Sequence, residues 1–252
     1  MKKLFSLLAV ALFAASTAFA ASSADKGVIL AGTESTYPPY EFRDPEGKLV
    51  GFHIDLVEAI GRVTGKKIEW IDMSFDALIP SLLTNKLDMI GAGFLMTEKR
   101  RARVAFTRHY EVSRGAVLTL NENLEKVKTL DDLVGKVVTA QMGSYVEQIC
   151  VAHGGITVRP FKKFDDCLLD VVYGRAYAAT MGLVAAKKYL KAKDFAGKVG
   201  IAFAYEMEGT ENKKGFAIRK DDPEFKALLD KALDQIEASG ELDALKKKWD
   251  LL

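Results

Sequence analysis

The chain has 252 residues, with 36 Lys and Arg against 34 Asp and Glu, and 49% of its residues are hydrophobic. This length allows one large domain or two ordinary ones, each able to bury a core of its own. The even charge balance excludes a nucleic-acid binder that works through net charge, and the apolar content excludes a disordered chain.

The N-terminal segment has the pattern of an export signal. Lys2 and Lys3 precede an apolar run at 4–13, and small residues follow up to Ala18-Phe19-Ala20. A charged stretch, a short apolar stretch and a small-x-small site are typical of a secretory signal peptide, and the apolar run is too short to span a bilayer. Without Lys2 and Lys3 the 36 basic side chains become 34, equal to the 34 acidic ones. We therefore expect residues 1–20 to be removed from a neutral, soluble, periplasmic protein.

Short apolar runs alternate with helical stretches from residue 28 onward. Helices are predicted at 51–65 and 75–86, and strands at 28–31, 68–71, 88–94 and 104–106. The first helix places Ile54, Val57 and Ile60 on one face. In the second, Pro80 is expected near the first turn, where a missing N–H costs least. Strands separated by helices of this length indicate right-handed crossovers in a mostly parallel sheet, which is an α/β fold.

A second unit of the same kind follows. Its predicted strands lie at 137–140, 158–161 and 176–180, and its predicted helices begin near Ser144 and lie at 165–173 and 183–190. Thr129 and Asp132 predict a capping box for a short helix that ends at Gly135. No linker rich in Gly and Ser separates the two units, which favours lobes joined by short strands and able to move about a hinge.

The C-terminal part predicts two helices. Asp222 is placed to cap the first, Pro223 occupies its first helical position, and Ser239-Gly240 ends it before a last helix at 241–249. The first of these helices carries an apolar stripe at Phe225, Leu229, Leu233 and Ile236.

Cys150 and Cys167 both fall in predicted helices. Because an exported protein meets an oxidising compartment, one interpretation is a disulfide between neighbouring helices, and the other is two buried thiols. Their spacing does not fit a redox pair, and no pair of His residues lies nearby to complete a zinc site. Neither interpretation makes the two cysteines catalytic.

Two N-terminal motifs carry a family resemblance. Residues 32–42, Gly-Thr-Glu-Ser-Thr-Tyr-Pro-Pro-Tyr-Glu-Phe, and residues 47–56, Gly-Lys-Leu-Val-Gly-Phe-His-Ile-Asp-Leu, resemble the start of bacterial extracellular solute-binding proteins of family 3. These are the polar amino-acid receptors of ABC importers. Further matches follow in the expected order at 77–82, 88–90, 96–100, 105–107, 141–144, 174–175 and 215–220. The resemblance covers essentially the whole mature chain.

The resemblance implies a two-lobed α/β architecture, the type II periplasmic-binding-protein fold, with lobes joined by two hinge strands. Lobe 1 would contain both termini of the mature protein, at 21–111 and 210–252, and lobe 2 would be the inserted segment 112–209. We expect the chain to cross between lobes near 111–115 and 205–211. The ligand would bind in the cleft between the lobes.

The candidate carboxylate clamp consists of one arginine and one helix start. Arg100 offers a planar fork of donors that matches a carboxylate bidentately. Gly143 and Ser144 come after a strand and before a helix, where backbone N–H groups favour an anion. The resemblance implies that Arg100 and Ser144 hold the ligand's α-carboxylate from opposite lobes. The alternative for Arg100 is a solvated position in the basic run 99–103.

Aromatic residues are expected to form the walls of the pocket. The resemblance places Tyr37, Phe75 and Phe94 there, with Tyr37 as a lid over the ligand and Tyr40 as lobe packing. An apolar cleft with few polar anchors is the usual form of a small-ligand site. Glu34 matches a position that is acidic in some members and contacts a cationic ligand side chain, although a surface or capping role fits it equally well.

Two departures from the family pattern concern the ligand's α-ammonium. Leu95 stands where the family usually has Thr or Ser, Gly182 stands where it has Asp, and Tyr145 replaces a small hydroxyl residue. An ammonium held only by the carbonyl of Gly93 would leave donors unsatisfied, at a cost of about 1–3 kcal/mol. Either Glu34 supplies the missing charge, or the ligand is a carboxylate without an α-amine.

Rival functions are considered on the same fold. A periplasmic dehydratase of the cyclohexadienyl or arogenate type needs a general acid, for which Glu34, Glu147 and His53 are the candidates, although capping of a helix start explains His53. A sensing module that docks on a membrane receptor is a third possibility. The sequence contains no nucleophile–base pair, phosphate loop, metal cluster or cofactor motif. We therefore predict a monomeric, non-enzymatic binding protein without a cofactor, with an ABC permease and no nucleic acid as its partner.

Overall fold

The computed structural model describes residues 22–207 and 211–252. The predicted export signal at 1–20 and the predicted lobe boundary between 209 and 210 lie outside the described residues. Within the two described ranges, no helix has both the length and the apolar character needed to cross a membrane.

The strands are numbered in chain order. They are β1 (Val28–Thr33), β2 (Thr36–Tyr37), β3 (Glu41–Arg43), β4 (Leu49–Val50), β5 (Lys67–Asp72), β6 (Met89–Leu95), β7 (Ala105–Phe106), β8 (Glu111–Val112), β9 (Arg114–Leu120), β10 (Val137–Gln141), β11 (Thr157–Phe161), β12 (Ala178–Gly182), β13 (Val199–Glu206) and β14 (Lys213–Ile218). The predicted strands are all present, with bounds that differ by one or two residues.

The α-helices are α1 (Phe52–Thr64), α2 (Phe75–Leu83), α3 (Glu98–Arg101), α4 (Tyr145–His153), α5 (Phe164–Val172), α6 (Leu183–Tyr189), α7 (Pro223–Ala238) and α8 (Glu241–Lys248). The predicted start of α7 is confirmed, because the Asp222 carboxylate accepts the N–H of Phe225 at 3.1 Å and Pro223 opens the helix. The apolar stripe of α7 is buried as predicted.

The described strands form two large sheets and one small one. The first sheet has the order β5-β1-β6-β14-β7, with β8 also paired to β14, and the second has the order β11-β10-β12-β9-β13. Strands β2, β3 and β4 form the small antiparallel sheet. Each large sheet is the base of one lobe, which confirms the two-lobed α/β fold.

The prediction of mostly parallel sheets is wrong. Strand β1 is parallel to β5 and β6, but β14 is antiparallel to β6, β7 and β8. In the second sheet β10 is parallel to β11 and β12, whereas β9 is antiparallel to β12 and β13. The antiparallel pairs come from the strands next to the lobe crossings, which enter each sheet against the direction of its βαβ units.

The chain passes between the two sheets twice. It leaves the first sheet at Ser113, between β8 and β9, and returns between β13 and β14. Strands β9 and β13 lie side by side at this point, with Gly115 opposite Tyr205. A side chain at Gly115 would meet the Tyr205 ring, because a Cβ there would lie 2.2 Å from that ring. The two connections are therefore neighbours, as a pair of hinge strands requires.

Helices cover both faces of each large sheet. In the first sheet, alternate residues of β6 pack on α1 and α7 on one face and on α2 on the other. In the second sheet, α5 and α6 cover one face and α4 covers the other. Cys150 and Cys167 lie in the two different clusters, and both are free thiols. The disulfide interpretation is therefore wrong, and the two buried thiols are what the structure shows. Burial raises the pKa of the Cys150 thiol to about 11.

Two local predictions need correction. Pro80 lies inside α2 and not in its first turn, because Ser74 places the helix start at Phe75. The helix also ends early, at Leu83, since Asn85 has a left-handed φ of 59°. At Thr129 only half of the capping box forms: Asp132 accepts the Thr129 N–H at 2.9 Å, and a short 3-10 turn follows.

Candidate functional site

A cavity of about 520 Å³, including the part that opens to solvent, lies between the two lobes. Nine of the eleven predicted site residues line it: Glu34, Tyr37, Phe75, Gly93, Leu95, Arg100, Ser144, Tyr145 and Gly182. The other two, Phe94 and Gly143, lie beside it and contact Arg100. The structure thus brings the predicted residues together, and their role in binding a ligand stays a prediction.

Seven further residues line the cavity and were not predicted. They are Glu41, Ser113, Gln141, Val146, Phe164, Met207 and Lys214. No pattern in the sequence distinguished Lys214, because it stands next to Lys213 at the start of β14, and lysines at a strand end are mostly exposed. Glu41 lay inside a recognised motif, but nothing in its spacing indicated that it faces the cleft.

Arg100 is held at the edge of the cavity by the short helix α3. Thr97 caps this helix and accepts the Arg100 N–H at 3.3 Å. The guanidinium is buried, lies 4.1 Å from the centre of the Phe94 ring, and donates to the carbonyls of Leu95 at 3.0 Å and Gly143 at 3.1 Å. Burial lowers its pKa to about 10, which still leaves it charged. A buried guanidinium whose direct partners are neutral carbonyls is strongly stabilised by an added anion.

The two lobes touch across the cavity. Glu34 of the first lobe accepts a hydrogen bond of 2.8 Å from the Gln141 amide of the second. The Tyr37 ring stacks on Phe164 of the second lobe with 4.9 Å between centres. Together with the bond from Arg100 to the Gly143 carbonyl, these contacts describe a closed cleft.

The loop before α4 has the predicted cap, but its N–H groups already have partners. Ser144 caps α4 by accepting the Glu147 N–H at 3.1 Å. The Gly143 N–H donates to the Glu147 carboxylate at 2.6 Å, and the Ser144 N–H donates to the Gln141 carbonyl at 3.1 Å. A ligand carboxylate would therefore meet the Ser144 hydroxyl, or would have to displace Glu147.

Glu34 lies at the carboxyl end of β1 and is buried. Besides Gln141, its carboxylate accepts the Thr36 hydroxyl at 2.8 Å. Burial raises the pKa of Glu34 to about 7, and the nearby Glu41 and Asp72 push it in the same direction. Of the three acids considered for a dehydratase, Glu34 is the one that lines the cavity.

The absence of a side chain at Gly182 makes room for Tyr37. A Cβ at Gly182 would lie 2.0 Å from the Tyr37 hydroxyl oxygen, a separation that no pair of atoms tolerates without bonding. An aspartate at this position would collide with Tyr37 as it stands here. Gly182 and the position of Tyr37 are therefore one coupled feature.

The floor of the cavity is a buried cluster of ionisable side chains. His53 was expected to cap a helix start, but its ring is fully buried and its Nδ1 hydrogen-bonds the Glu41 carboxylate, so the capping explanation is wrong. Glu41 also accepts the Gly93 N–H at 3.3 Å. Burial lowers the pKa of His53 well below its usual value and raises that of Glu41 well above. The pair is therefore most stable when it holds one shared proton and carries no net charge.

Lys214 completes this floor. Its side chain is 2% exposed, and its ammonium lies 3.3 Å from the Glu111 carboxylate and 3.5 Å from the centre of the Tyr40 ring. Tyr40 donates to the same Glu111 at 2.5 Å. Burial lowers the pKa of Lys214, and the two acids Glu111 and Glu41 oppose that shift. In the strand ladder Lys214 is directly opposite Leu95.

The comparisons with known proteins agree with this geometry. The family model described as "Bacterial extracellular solute-binding proteins, family 3" matches residues 29–251. The chain belongs to this family. It is therefore a solute-binding protein with the two-lobed fold of its relatives.

Similar curated proteins are amino-acid-binding periplasmic proteins of bacteria. The histidine-binding periplasmic protein of Escherichia coli K12 is 32% identical over 99% of this chain and 97% of its own length. The lysine/arginine/ornithine-binding periplasmic protein of the same strain is 33% identical over 99% of this chain and 97% of its own length.

Solved structures give the same result. An ancestral arginine-binding protein bound to arginine has a TM-score of 0.83 and 34% identity, over 89% of this chain and 98% of that one. An ancestral amino acid-binding protein, a precursor of cyclohexadienyl dehydratase, has a TM-score of 0.81 and 31% identity, over 91% of this chain and 99% of that one.

Proposed function

We propose that the chain is an exported periplasmic receptor that captures a small carboxylate, an amino acid or a compound related to one, and delivers it to an ABC permease. The names of its relatives support this class of ligand. We also propose residues 1–20 as the signal peptide, 21–111 with 210–252 as one lobe, and 112–209 as the other.

The position of Arg100 carries the proposal. The guanidinium is buried at the meeting line of the lobes, where it reaches the carbonyl of Leu95 on one lobe and that of Gly143 on the other. A carboxylate bound there would interact with both lobes at once. The ligand would therefore bind the closed form better than the open form and shift the population toward closure, which is the shape a permease recognises.

We propose binding without catalysis. The curated relatives named above are binding proteins, and the structural neighbour from the dehydratase lineage is itself an amino acid-binding protein. Glu34, with a pKa of about 7, has a property that a general acid needs, but its carboxylate is bonded to Thr36 and Gln141. These bonds suit a lobe contact better than proton transfer to a ligand.

The test is calorimetric titration and thermal shift of the mature protein, wild type and Arg100→Ala. Loss of a bidentate charged contact should lower affinity by about 100-fold or more. Arg101→Ala is the matched control, because Arg101 is exposed, bonds the Met96 carbonyl and lies outside the cavity lining. A loss of less than about tenfold in Arg100→Ala, or an equal loss in both variants, would contradict the carboxylate clamp.

A further inference from the structure

The cavity contains a second buried cation that the clamp does not use. Arg100 and Lys214 both line it, and both are almost fully buried. Among the lining residues that the structure describes, the carboxylates are Glu34 and Glu41. Which of these four groups can still accept or donate a hydrogen bond decides what kind of ligand fits.

The two carboxylates are already engaged. Glu34 accepts from the Thr36 hydroxyl and the Gln141 amide, both at 2.8 Å. Glu41 is bonded to His53 Nδ1 and accepts the N–H of Gly93. A carboxylate accepts up to about four hydrogen bonds, so both acids keep some acceptor capacity, which a ligand ammonium would share with the donors already bound.

Lys214 also has donors to spare. An ammonium carries three N–H groups. One reaches Glu111 at 3.3 Å, which is at the long end of the hydrogen-bond range, and the charge also faces the Tyr40 ring. Because the residue lines the cavity, its remaining donor capacity is directed at whatever occupies that space.

Both cations converge on one residue. Arg100 Nη1 donates to the Leu95 carbonyl, and Lys214 is the strand partner of Leu95, so the Lys214 and Leu95 side chains lie on the same face of the sheet, and both line the cavity. When a carboxylate held by Arg100 extends along Leu95, its adjacent carbon approaches Lys214. An ammonium on that carbon would meet a like charge in a dry site, whereas an oxygen would meet a donor.

We propose that Lys214 is a specificity-determining residue, which donates a hydrogen bond to an oxygen of the ligand and selects 2-oxo or 2-hydroxy carboxylates over the corresponding amino acids. This inference rests on the proposed function, because it requires the carboxylate to lie on Arg100. It explains why Leu95 and Gly182, at positions where the family pattern has polar side chains, offer no ammonium anchor. The ligand class is named by its chemistry: a carboxylate with an acceptor oxygen on the adjacent carbon.

The experiment uses matched sets of three probes that share a side chain. L-Leucine, 4-methyl-2-oxopentanoate and 2-hydroxy-4-methylpentanoate form one set, and phenylalanine, glutamate, arginine and histidine with their oxo and hydroxy counterparts form four more. Each is titrated into the wild-type mature protein by calorimetry. We expect an oxygen-bearing probe to bind at least about tenfold more tightly than its amino acid. Tighter binding of the amino acids would overturn the inference and leave the proposed function standing.

Variants assign the selectivity to one side chain. Lys214→Met keeps the length of the side chain and removes its donors, and Lys214→Met/Glu111→Gln also removes the acid that would be left unpaired. Both should weaken binding of the oxo or hydroxy acid by about tenfold and strengthen binding of the amino acid, because the charge that repels its ammonium is gone. Lys213→Met is the control and should change neither. Equal losses for all probes would overturn the role of Lys214, while no binding of any probe, in wild type or variants, would contradict the proposed function itself.

Discussion

The two cationic ends of the cavity are built in different ways. Arg100 lies on a short helix, and its bonds to Leu95 and Gly143 come from both lobes. Lys214 lies within a strand of the first sheet, and its partners Glu111 and Tyr40 belong to the same lobe. The Arg100 end is therefore complete only when the lobes close, whereas the Lys214 end is complete in either state. This difference separates affinity, which depends on closure, from selectivity, which is fixed in one lobe.

The first prediction concerns the contact between the lobes at Glu34, which accepts a hydrogen bond from Gln141 across the cleft. Burial raises the pKa of Glu34 from 4.5 to about 7, so the folded protein holds a proton that the unfolded chain has lost. The free energy of unfolding should therefore fall by about 3 kcal/mol as pH rises from 4.5 to 7, and stay flat above.

Urea unfolding at several pH values, with wild type and Glu34→Gln compared, checks this. In the variant, the free energy of unfolding should not show this decrease between pH 4.5 and 7, and the variant should be more stable than the wild type at pH 8. If both proteins show the same pH profile, Glu34 ionises as an ordinary exposed acid and the cleft around it is open to water in solution.

The second effect tests whether the Lys214 end is rigid and packed. A Cβ on Gly93 would lie 2.3 Å from Cε1 of His53, the residue bonded to Glu41 beneath the cavity. Gly93→Ala should therefore lower the free energy of unfolding by about 1–3 kcal/mol. Gly27→Ala is the matched control, because no atom lies within 4 Å of a Cβ there. Equal stability of the two variants in chemical denaturation would mean that the floor is loosely packed.

The smallest effect concerns the coupling of Gly182 to Tyr37, both of which line the cavity. Gly182→Ala forces the Tyr37 hydroxyl away, since the new Cβ would lie 2.0 Å from the hydroxyl oxygen. The same Cβ would lie 3.3 Å from Cζ of the Tyr37 ring. We expect about tenfold weaker ligand binding, largely restored in Gly182→Ala/Tyr37→Phe, which lacks that hydroxyl. Strictly additive effects of the two changes on the dissociation constant would show that the residues do not constrain each other.

Features set by local sequence were predictable. Arg100 and Ser144 stand in short motifs, and the cap of α7 at Asp222 is a pattern of adjacent residues, so each could be found without knowing the fold. Pro80 was misplaced although the helix start at Phe75 was predicted correctly, because the rule that proline prefers the first turn does not exclude proline later in a short helix.

The floor of the cavity was not predictable in this way. Lys214 meets Glu111 across 103 positions of the chain, and its place opposite Leu95 depends on how β14 returns to the first sheet. His53 and Glu41 are close in sequence, but only the turn between β3 and α1 reveals that they pair in the interior. A single sequence identifies residues of the right chemistry, whereas contacts between distant strands decide which of them share a site.

A crystal structure of the mature protein with the tightest-binding probe of the matched sets tests the roles of Arg100 and Lys214 together. We expect the probe's carboxylate on the Arg100 guanidinium and its adjacent oxygen within about 3 Å of Lys214 Nζ. A bound amino acid whose ammonium contacts Glu41 or Glu34, with Lys214 bonded to Glu111 alone, would contradict this expectation.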